Sequence, residues 1–494
     1  MAEAHVIVVG GGISGLTAAF DLAHRGVRVT LLEQHAAPGG KMRQIEIGEH
    51  KIDSGPTVFT MRWIFEDLFR EAGLDLEDHL KLHASDLLAR HAWPDGSRLD
   101  LYADVARSEA AIEAFAGAED AARYGEFAAA SAEIFRTLDL SFMRDQRPSP
   151  VALAGRVGLR GISDLLATKP FVTLWDDLSR RFTDPRLTQL FARYSTYCGS
   201  SPFRAPATLQ LIAHAERAGV WYVEGGMQAL AKTLAERVAA AGGDIRCETP
   251  VRQVLHYGSK VTGVTLADGD VLTADAVIFS GDTAALAGGL LGNQLQKSVP
   301  ALPRDRRSLS AITWSMVARV RGFPLTHHTV FFGSNYRDEF DAIFEQQRVS
   351  DSPTVYLCAQ DRHDQPSAEG DREERVFCLI NAPARVLSAA DLDRAQEAML
   401  NQCAAQGLVL EHAPTDCVRT GPGDFAKLFP ATDGALYGRP THGWMGSFSR
   451  PGARSKMKGL YLAGGSVHPG AGVPMVAMSG RLAAACVRYD LSID

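Results

Sequence analysis

Residues 5–56 read HVIVVGGGISGLTAAFDLAHRGVRVTLLEQHAAPGGKMRQIEIGEHKIDSGP, and the rest of the chain is organised around this stretch. The run His5–Val9 is short, apolar and rich in valine, which is typical of a buried parallel strand. Apolar residues then recur at i, i+3 and i+4 along Ile13–Ala23, which predicts a helix. A second apolar strand, Val27–Leu32, ends at the acidic residue Glu33. Strand, glycine turn, helix, strand and acid in this order predict a dinucleotide-binding unit.

The turn between the first strand and the helix is GGGISG at residues 10–15, which matches G-x-G-x-x-G. Gly10 permits a tight turn, Gly12 lets the backbone approach a pyrophosphate, and Gly15 lets the helix pack closely on the strand. The free N–H groups and the positive dipole end at the start of the helix attract phosphates. Glu33 can accept hydrogen bonds from ribose hydroxyls, and its charge disfavours a 2′-phosphate.

A second glycine-rich segment follows Glu33. Residues 38–43 read PGGKMR, so that two glycines and the cations Lys41 and Arg43 stand where they can wrap phosphate oxygens from a second side. A surface turn with solvated charges is the alternative for this segment. The next tight turn, DSGP at residues 53–56, falls where the chain would return toward the nucleotide.

Length, charge and cysteine content limit the classes of protein to consider. At 494 residues the chain is long for one domain, so we expect two. The formal net charge of −7 argues against a nucleic-acid partner. The seven cysteines are scattered without a C-x-x-C pair, which favours reduced thiols in a cytoplasmic protein and indicates no metal site.

Membrane contact, if present, is expected to be peripheral. The N-terminus leads almost at once into a strand, so it does not resemble a secretory signal. The chain has no uninterrupted apolar stretch of about 18 residues that would span a bilayer. Residues 150–182 alternate apolar groups with cations, a pattern that suits a helix lying on an anionic membrane surface. An ordinary amphipathic helix packed on the core is the alternative.

The C-terminal part contains another glycine-rich loop. Residues 459–474 read GLYLAGGSVHPGAGVP, in which a short strand, Leu460–Ala463, leads into the loop. A helix of small residues is expected from Met475 onward. The glycines at positions 464, 465, 470 and 472 would let backbone amides approach a planar ring or a pyrophosphate.

The order of these segments resembles the flavin-dependent amine-oxidase and carotenoid-desaturase superfamily, in which G-x-G-x-x-G, an acid and a Gly-Gly-Arg/Lys segment hold FAD. The C-terminal loop, with GALYG at residues 434–438 and SRP at residues 449–451, looks like the bacterial-type carotenoid (phytoene) desaturase family. Val467 departs from the alanine or threonine expected in that family. An amine oxidase more typically has Ala-Gly-Glu where this chain has Ala463-Gly464-Gly465. The resemblance covers essentially the whole chain and is strongest at its two ends.

The resemblance implies an α/β fold with a Rossmann-like FAD-binding domain of the amine-oxidase/glutathione-reductase type and an interleaved sheet-plus-helix substrate domain. The FAD-binding domain is expected to comprise residues 1–75, 221–290 and 440–494. Residues 76–220 are expected to form a helical region that faces the substrate or the membrane, and residues 291–439 the sheet of the substrate domain. Alanine-rich helical spacing over Arg107–Leu138 and strand-like runs between residues 312 and 381 agree with this division.

The resemblance also implies an enzyme that uses FAD to desaturate a lipophilic carotenoid, removing one hydrogen as hydride and one as a proton. Among the subfamilies, the chain looks most like those that introduce a C-3,4 double bond into 1-hydroxy acyclic carotenoids such as 1-hydroxyneurosporene. A phytoene desaturase performing successive desaturations is one alternative. A non-catalytic lipid or prenyl carrier with the same fold is the alternative from another class. The expected electron acceptor is oxygen or a quinone, and the expected location is cytoplasmic, peripherally associated with the inner membrane.

The motifs and the resemblance together predict the site residues. In the superfamily that the chain resembles, a valine at about the place of Val251 covers the adenine of FAD. No pattern in the sequence identifies a catalytic acid–base pair, and no metal site is expected. The catalytic candidates are Arg144, Asp145 and His468. A solvated ion pair in a loop is the alternative for Arg144 and Asp145, and a role in spacing the backbone of the glycine loop is the alternative for His468. The polar run DRHDQP at residues 361–366 is interpreted as a solvated loop. The candidate cofactor-binding residues are Gly10, Gly12, Ile13, Ser14, Gly15, Glu33, Gly40, Lys41, Gly55, Val251, Gly464, Gly465, Gly472 and Val473.

Overall fold

The computed structural model describes residues 4–150, 153, 155, 165–362 and 373–493. The strands are β1 His5–Val9, β2 Arg28–Leu32, β3 Gln44–Ile47, β4 His50–Asp53, β5 Phe59–Thr60, β6 Leu82–Ala84, β7 Leu87–Ala92, β8 Arg98–Tyr102, β9 Val220–Val223, β10 Asp244–Arg246, β11 Val251–Tyr257, β12 Lys260–Leu266, β13 Val271–Thr273, β14 Ala276–Phe279, β15 Ser310–Arg321, β16 His328–Phe331, β17 Val355–Ala359, β18 Glu373–Ala382, β19 Val409–Glu411, β20 Cys417–Thr420 and β21 Leu460–Leu462. The α-helices are Ile13–His24, Trp63–Glu71, Val105–Ala116, Ala118–Leu138, Leu174–Arg181, Pro185–Ala192, Leu211–Arg217, Gln228–Ala240, Thr283–Ala287, Tyr336–Phe344, Ala389–Ala404, Pro422–Leu428 and Val473–Leu491.

A parallel sheet of order β10-β2-β1-β14-β21 lies at the centre of the nucleotide-binding part. Its middle strands are buried almost throughout, as expected when helices cover both faces of a parallel sheet. The helices Ile13–His24 and Val473–Leu491 pack against each other so closely that a Cβ at Gly480 would lie 2.2 Å from the Ser14 carbonyl oxygen. The five strands come from the three segments assigned above to the FAD-binding domain, and the domain boundaries themselves stay predictions.

A second, mostly antiparallel sheet has the order β19-β15-β18-β17-β16-β7-β8, with β20 also paired to β15. Its two longest strands, β15 and β18, pair along ten residues. Because side chains alternate between the two faces of a strand, Phe377, Leu379 and Asn381 of β18 face a cavity while Cys378 and Ile380 join the hydrophobic core. This sheet therefore forms one wall of the cavity described below.

Residues 76–220 differ from the helical region predicted for them. Three strands lie there, and β7 pairs with β16, so that β7 and β8 extend the large sheet. These strands are short, and the alanine-rich helical pattern that follows them dominates the sequence signal. That pattern is itself divided into two helices at Gly117, whose φ of +92° a residue with a side chain rarely adopts.

The polar run at residues 361–366 is not the solvated loop that we expected, as far as the structure describes it. Arg362 is buried and forms two hydrogen bonds with the Glu374 carboxylate, at 2.6 and 2.7 Å. Asp361 pairs with Arg375 at 2.6 Å. Residues 363–366 lie outside the described residues. The composition of the run is typical of a turn, and it gave no sign of this pairing. The partner residues lie on β18, which pairs with the strand that precedes the run.

Two further expectations concern cysteines and membranes. All seven cysteines are free thiols in the structure. None of the helices in the described part of the chain combines the length and the apolar character needed to cross a bilayer.

Candidate active site

A cavity of about 1090 Å³ joins the nucleotide-binding part to the large antiparallel sheet. Thirteen of the fourteen candidate cofactor-binding residues line it, and Gly15 does not. The cavity therefore brings together segments from the two ends of the chain that the sequence predicted separately. The candidates that line it are Gly10, Gly12, Ile13, Ser14, Glu33, Gly40, Lys41, Gly55, Val251, Gly464, Gly465, Gly472 and Val473.

The glycines of the first turn have the geometry that their motif predicts. Gly10 has a φ of +103°, which favours glycine, and no atom lies within 4 Å of a Cβ placed at Gly12. A Cβ at Gly15 would lie 2.0 Å from the Gly10 carbonyl oxygen, so Gly15 allows the helix and the turn to touch. The helix starts at Ile13 without a side-chain cap, which leaves its first N–H groups available to a ligand in the cavity.

Glu33 is held at the cavity wall by two backbone groups. Its Oε2 accepts the N–H of Gly11 at 2.6 Å, and its Oε1 accepts the N–H of His35 at 2.9 Å. The residue is only 4% exposed. The carboxylate is thus fixed beside the glycine turn, where we expect the ribose of the nucleotide.

Lys41 and Arg43 have protein partners, which the sequence did not indicate. The Lys41 ammonium donates to the Leu436 carbonyl oxygen and lies 5.3 Å from the centre of the Phe429 ring. Arg43 donates to Thr420 Oγ1 at 3.1 Å. Burial lowers the pKa of Lys41. Both cations therefore connect the 38–43 segment to residues 420–436 and are not solvated charges on a surface turn.

Arg450 is a site residue that the sequence analysis did not select. It is buried at the cavity wall and donates to the carbonyl oxygens of Tyr437, Arg439 and Gly465. Its side chain thereby joins the GALYG segment to the C-terminal glycine loop. The sequence contained one signal, because the SRP motif at residues 449–451 belongs to the family resemblance.

The three catalytic candidates do not line the described part of the cavity. Arg144 Nε bonds to Asp139 Oδ1 at 3.2 Å, and its Nη1 lies 3.8 Å from Asp67 Oδ2. His468 Nε2 lies 2.9 Å from the Phe142 carbonyl oxygen, to which it donates, and the ring packs edge-on against Phe142. The His468 side chain therefore packs against Phe142 and does not line the cavity, where we expected it to approach a cofactor.

The part of the cavity near the large sheet contains a group of polar and aromatic side chains that no local motif indicated. Arg193, Tyr197, Tyr336 and Tyr356 all line it, together with Phe377 of β18. These residues come from sequence positions far apart. Tyr356 Oη lies 2.6 Å from Thr57 Oγ1 and 2.7 Å from His328 Nδ1, so its hydroxyl is already hydrogen-bonded.

Apolar side chains surround another part of the cavity lining and remain in contact with solvent. Leu166, Phe171 and Trp444 are 57%, 67% and 45% exposed, and all three line the cavity. The rings of Phe171 and Trp444 are 5.6 Å apart. We call these three residues the cavity mouth. Large apolar side chains that are both exposed and adjacent usually mark a surface that binds an apolar partner.

The residues around the glycine turn fit a dinucleotide cofactor. The two helices that begin at Ile13 and Val473 both have a glycine before them, no side-chain cap and cavity-lining residues in their first turn. Both can offer backbone N–H groups to phosphate oxygens. The Glu33 carboxylate can accept hydrogen bonds from a ribose, and the open space at Gly12 leaves room for a pyrophosphate. Together with the helix N–H groups, these features suit FAD.

Comparison with known proteins agrees with this arrangement. The flavin-containing amine oxidoreductase family matches residues 13–320. The chain is 49% identical to a hydroxyneurosporene desaturase of Rubrivivax gelatinosus, over 97% of this chain and 92% of that protein. It is 43% identical to a hydroxyneurosporene desaturase of Cereibacter sphaeroides, over 99% and 98% of the two chains. It is 30% identical to a 4,4′-diapolycopene oxygenase of Methylomonas sp, over 98% of each.

Solved structures share the fold at low sequence identity. A putrescine oxidase bound to putrescine superposes with a TM-score of 0.60 at 17% identity, covering 99% of each chain. An oxidoreductase from Methanosarcina mazei superposes with a TM-score of 0.58 at 15% identity, covering 97% of this chain and 99% of the other. The protein is therefore an FAD-dependent oxidoreductase that belongs to the flavin-containing amine oxidoreductase family and, within it, to the carotenoid desaturases.

Proposed function

We propose that this desaturase introduces a C-3,4 double bond into 1-hydroxy acyclic carotenoids such as 1-hydroxyneurosporene. The observation that supports it best is the continuous cavity, which links the nucleotide-binding glycines to an apolar mouth and to a wall of the large sheet. An elongated hydrocarbon fits such a space. The hydroxyneurosporene desaturases to which the chain is 43% to 49% identical support the hydroxylated substrate in particular.

The bound FAD would supply the hydride acceptor for the dehydrogenation. The residues expected to hold it are the candidates that line the cavity, among them Gly12, Glu33 and Gly472. The protein would orient the polyene, exclude water and hold the reacting carbons in place. Because a carbon next to a conjugated polyene yields a delocalised cation, its proton can leave without a strong base. Oxygen or a quinone would then reoxidise the flavin.

We also propose that the cavity mouth contacts the inner membrane peripherally. A long carotenoid is insoluble in water and must enter the protein from lipid. Leu166, Phe171 and Trp444 are among the exposed apolar residues at the lining of the cavity, and they suit insertion into a lipid interface. Much of residues 150–164, on which the membrane interpretation of residues 150–182 also depended, lies outside the described residues.

The test is anaerobic incubation of the FAD-loaded protein with phytoene, neurosporene and 1-hydroxyneurosporene dispersed in lipid. Flavin bleaching and product spectra are followed for each substrate. Bleaching with the hydroxylated carotenoid and one added double bond would support the proposal. Bleaching with phytoene would replace it with successive phytoene desaturation, in which several double bonds accumulate once an electron acceptor is admitted. Tight carotenoid binding without bleaching would replace it with the carrier function.

A further inference from the structure

Arg193 is a cation in the cavity wall that forms no ion pair with a carboxylate of the described residues. It lies at the start of the 3-10 turn Arg193–Cys198 and lines the cavity. Among the described residues, the hydrogen bond that its side chain makes is a long one, from Nη2 to Tyr197 Oη at 3.4 Å. Its Nε is buried and has no hydrogen-bond partner there. A buried charged donor that lacks acceptors is costly, so this guanidinium requires an explanation.

The surroundings of Arg193 fix its position without neutralising it. Its guanidinium lies 5.3 Å from the centre of the Tyr197 ring and 6.0 Å from that of Tyr194. Glu216, an acid whose charge acts on Arg193, accepts hydrogen bonds from both phenols, at 2.7 Å from Tyr194. Each of its two carboxylate oxygens thus already accepts a hydrogen bond from a tyrosine. Burial acts to lower the pKa of Arg193, but Tyr197 and Glu216 act to raise it. The pKa is raised overall, so the side chain stays charged.

Tyr336 supplies a second polar group in the same part of the cavity. It is the first residue of the helix Tyr336–Phe344, lines the cavity and is only 6% exposed. Its hydroxyl is buried and has no hydrogen-bond partner in the described part of the chain. Tyr336 belongs to the same packed cluster as Tyr194, and Tyr197 packs against that cluster, so its ring lies on the side of the cavity where Arg193 is found. Burial raises the pKa of Tyr336, and the charge of Arg193 partly offsets this rise. Tyr336 is thus a neutral phenol that can donate or accept.

We propose that Arg193 and Tyr336 bind an oxygen atom of the substrate, which on the function proposed above is the hydroxyl of a 1-hydroxy carotenoid. A hydroxyl can accept from the guanidinium and share a hydrogen bond with the phenol, so both groups gain the partner that they lack. A hydrocarbon end can satisfy neither group. Sites that hydrogen-bond a substrate hydroxyl discriminate strongly against an analogue without it, because the polar groups are then left unpaired.

The experiment is an internal competition in which FAD-loaded full-length protein acts on 1-hydroxyneurosporene and neurosporene mixed in the same vesicles. The ratio of their kcat/KM values is obtained from the consumption of each carotenoid. We expect the wild type to favour the hydroxylated substrate. In Tyr336→Phe the ratio should fall about tenfold, and in Arg193→Met about a hundredfold, because each variant loses hydrogen bonds that the hydroxylated substrate can make and neurosporene cannot.

Matched controls separate substrate recognition from damage to the fold. Tyr257→Phe and Arg180→Met make the same changes at exposed positions and should keep the wild-type ratio. FAD content is measured for every variant. If Arg193→Met loses the cofactor, the kcat/KM ratios of Arg193→Lys and Tyr336→Phe test the proposal in its place. A wild type that prefers the hydroxylated substrate, with variants that keep its ratio, would overturn the role of Arg193 and Tyr336. A wild type without preference would overturn the proposed function instead.

Discussion

His468 is buried behind the C-terminal glycine loop as a neutral imidazole. Burial lowers its pKa from 6.5 to about 4, while Nε2 donates to the Phe142 carbonyl oxygen. In the unfolded chain the same group takes up a proton near its ordinary pKa. The folded state therefore has its full stability from this residue above about pH 6.5, and loses it as the pH falls from there toward 4.

We predict that replacing His468 makes the protein less sensitive to acid. Between pH 7.5 and 5, this residue should lower the free energy of unfolding of the wild type by about 2 kcal/mol. His468→Gln retains an amide donor for Phe142 but does not titrate, so its loss should be smaller by that amount. Urea unfolding at the two pH values, followed by tryptophan fluorescence, measures the difference. His50→Gln, at an exposed position, is the control, and equal losses in wild type and His468→Gln would contradict the prediction.

On the scale of secondary-structure elements, Arg450 connects two loops that no strand pairing joins. Its guanidinium donates to carbonyl oxygens at Tyr437 and Arg439 on one side and at Gly465 on the other. Burial lowers the pKa of Arg450. A buried guanidinium with three backbone acceptors offsets its desolvation through these bonds, which hold the glycine loop against the GALYG segment.

We predict that Arg450→Lys weakens both the loop connection and the binding of FAD. A lysine ammonium cannot reach three carbonyl groups in the planar arrangement that a guanidinium does, so some are left unpaired. The free energy of unfolding should fall by about 2–4 kcal/mol. Thermal unfolding and the FAD content of the purified variant measure the two effects. Arg439→Lys, in which the backbone contact to Arg450 is preserved, should behave like the wild type, and full FAD content with unchanged stability in Arg450→Lys would refute the expectation.

On the scale of the whole molecule, the cavity lies between the nucleotide-binding sheet and the large antiparallel sheet, and its lining includes the apolar mouth. Phe171 and Trp444 lie far apart in the sequence, but their rings are 5.6 Å apart at that mouth. Transfer of two such aromatic side chains into a lipid interface contributes several kcal/mol. The mouth residues can therefore contribute substantially to the proposed contact with a membrane.

We predict that the double variant Phe171→Ser/Trp444→Ser binds lipid vesicles at least tenfold more weakly than the wild type. Co-sedimentation with vesicles that contain anionic lipid measures the affinity. Desaturation of vesicle-embedded carotenoid should fall in parallel, while FAD content stays the same because the mouth does not belong to the glycine segments. Val386→Ser removes an exposed apolar residue elsewhere and serves as the control. Unchanged vesicle binding by the double variant would rule out the mouth as the membrane contact.

The sequence by itself determined the parts of the molecule that local physics controls. The strand His5–Val9 has the predicted bounds, and the first helix differs by one residue. Hydrophobic period, glycine conformation and capping act over a few residues, so they can be recognised in the chain. The family resemblance then supplied FAD and the reaction class, which the comparisons confirm. The assignment of single residues to the cofactor stays a prediction.

The tertiary structure alone decided which side chains lack a partner and which share a cavity. Arg193 and Tyr336 have no common motif, and β7 and β8 join the large sheet only through pairing with a distant strand. Lys41 was expected to reach phosphate oxygens and Arg362 to lie in a solvated loop, but the fold gives each a partner within the protein. Burial and pairing depend on contacts between residues far apart in the chain. Whether a charged side chain stabilises or destabilises the folded state depends on whether it is buried and whether it has a partner. No local pattern contains that information.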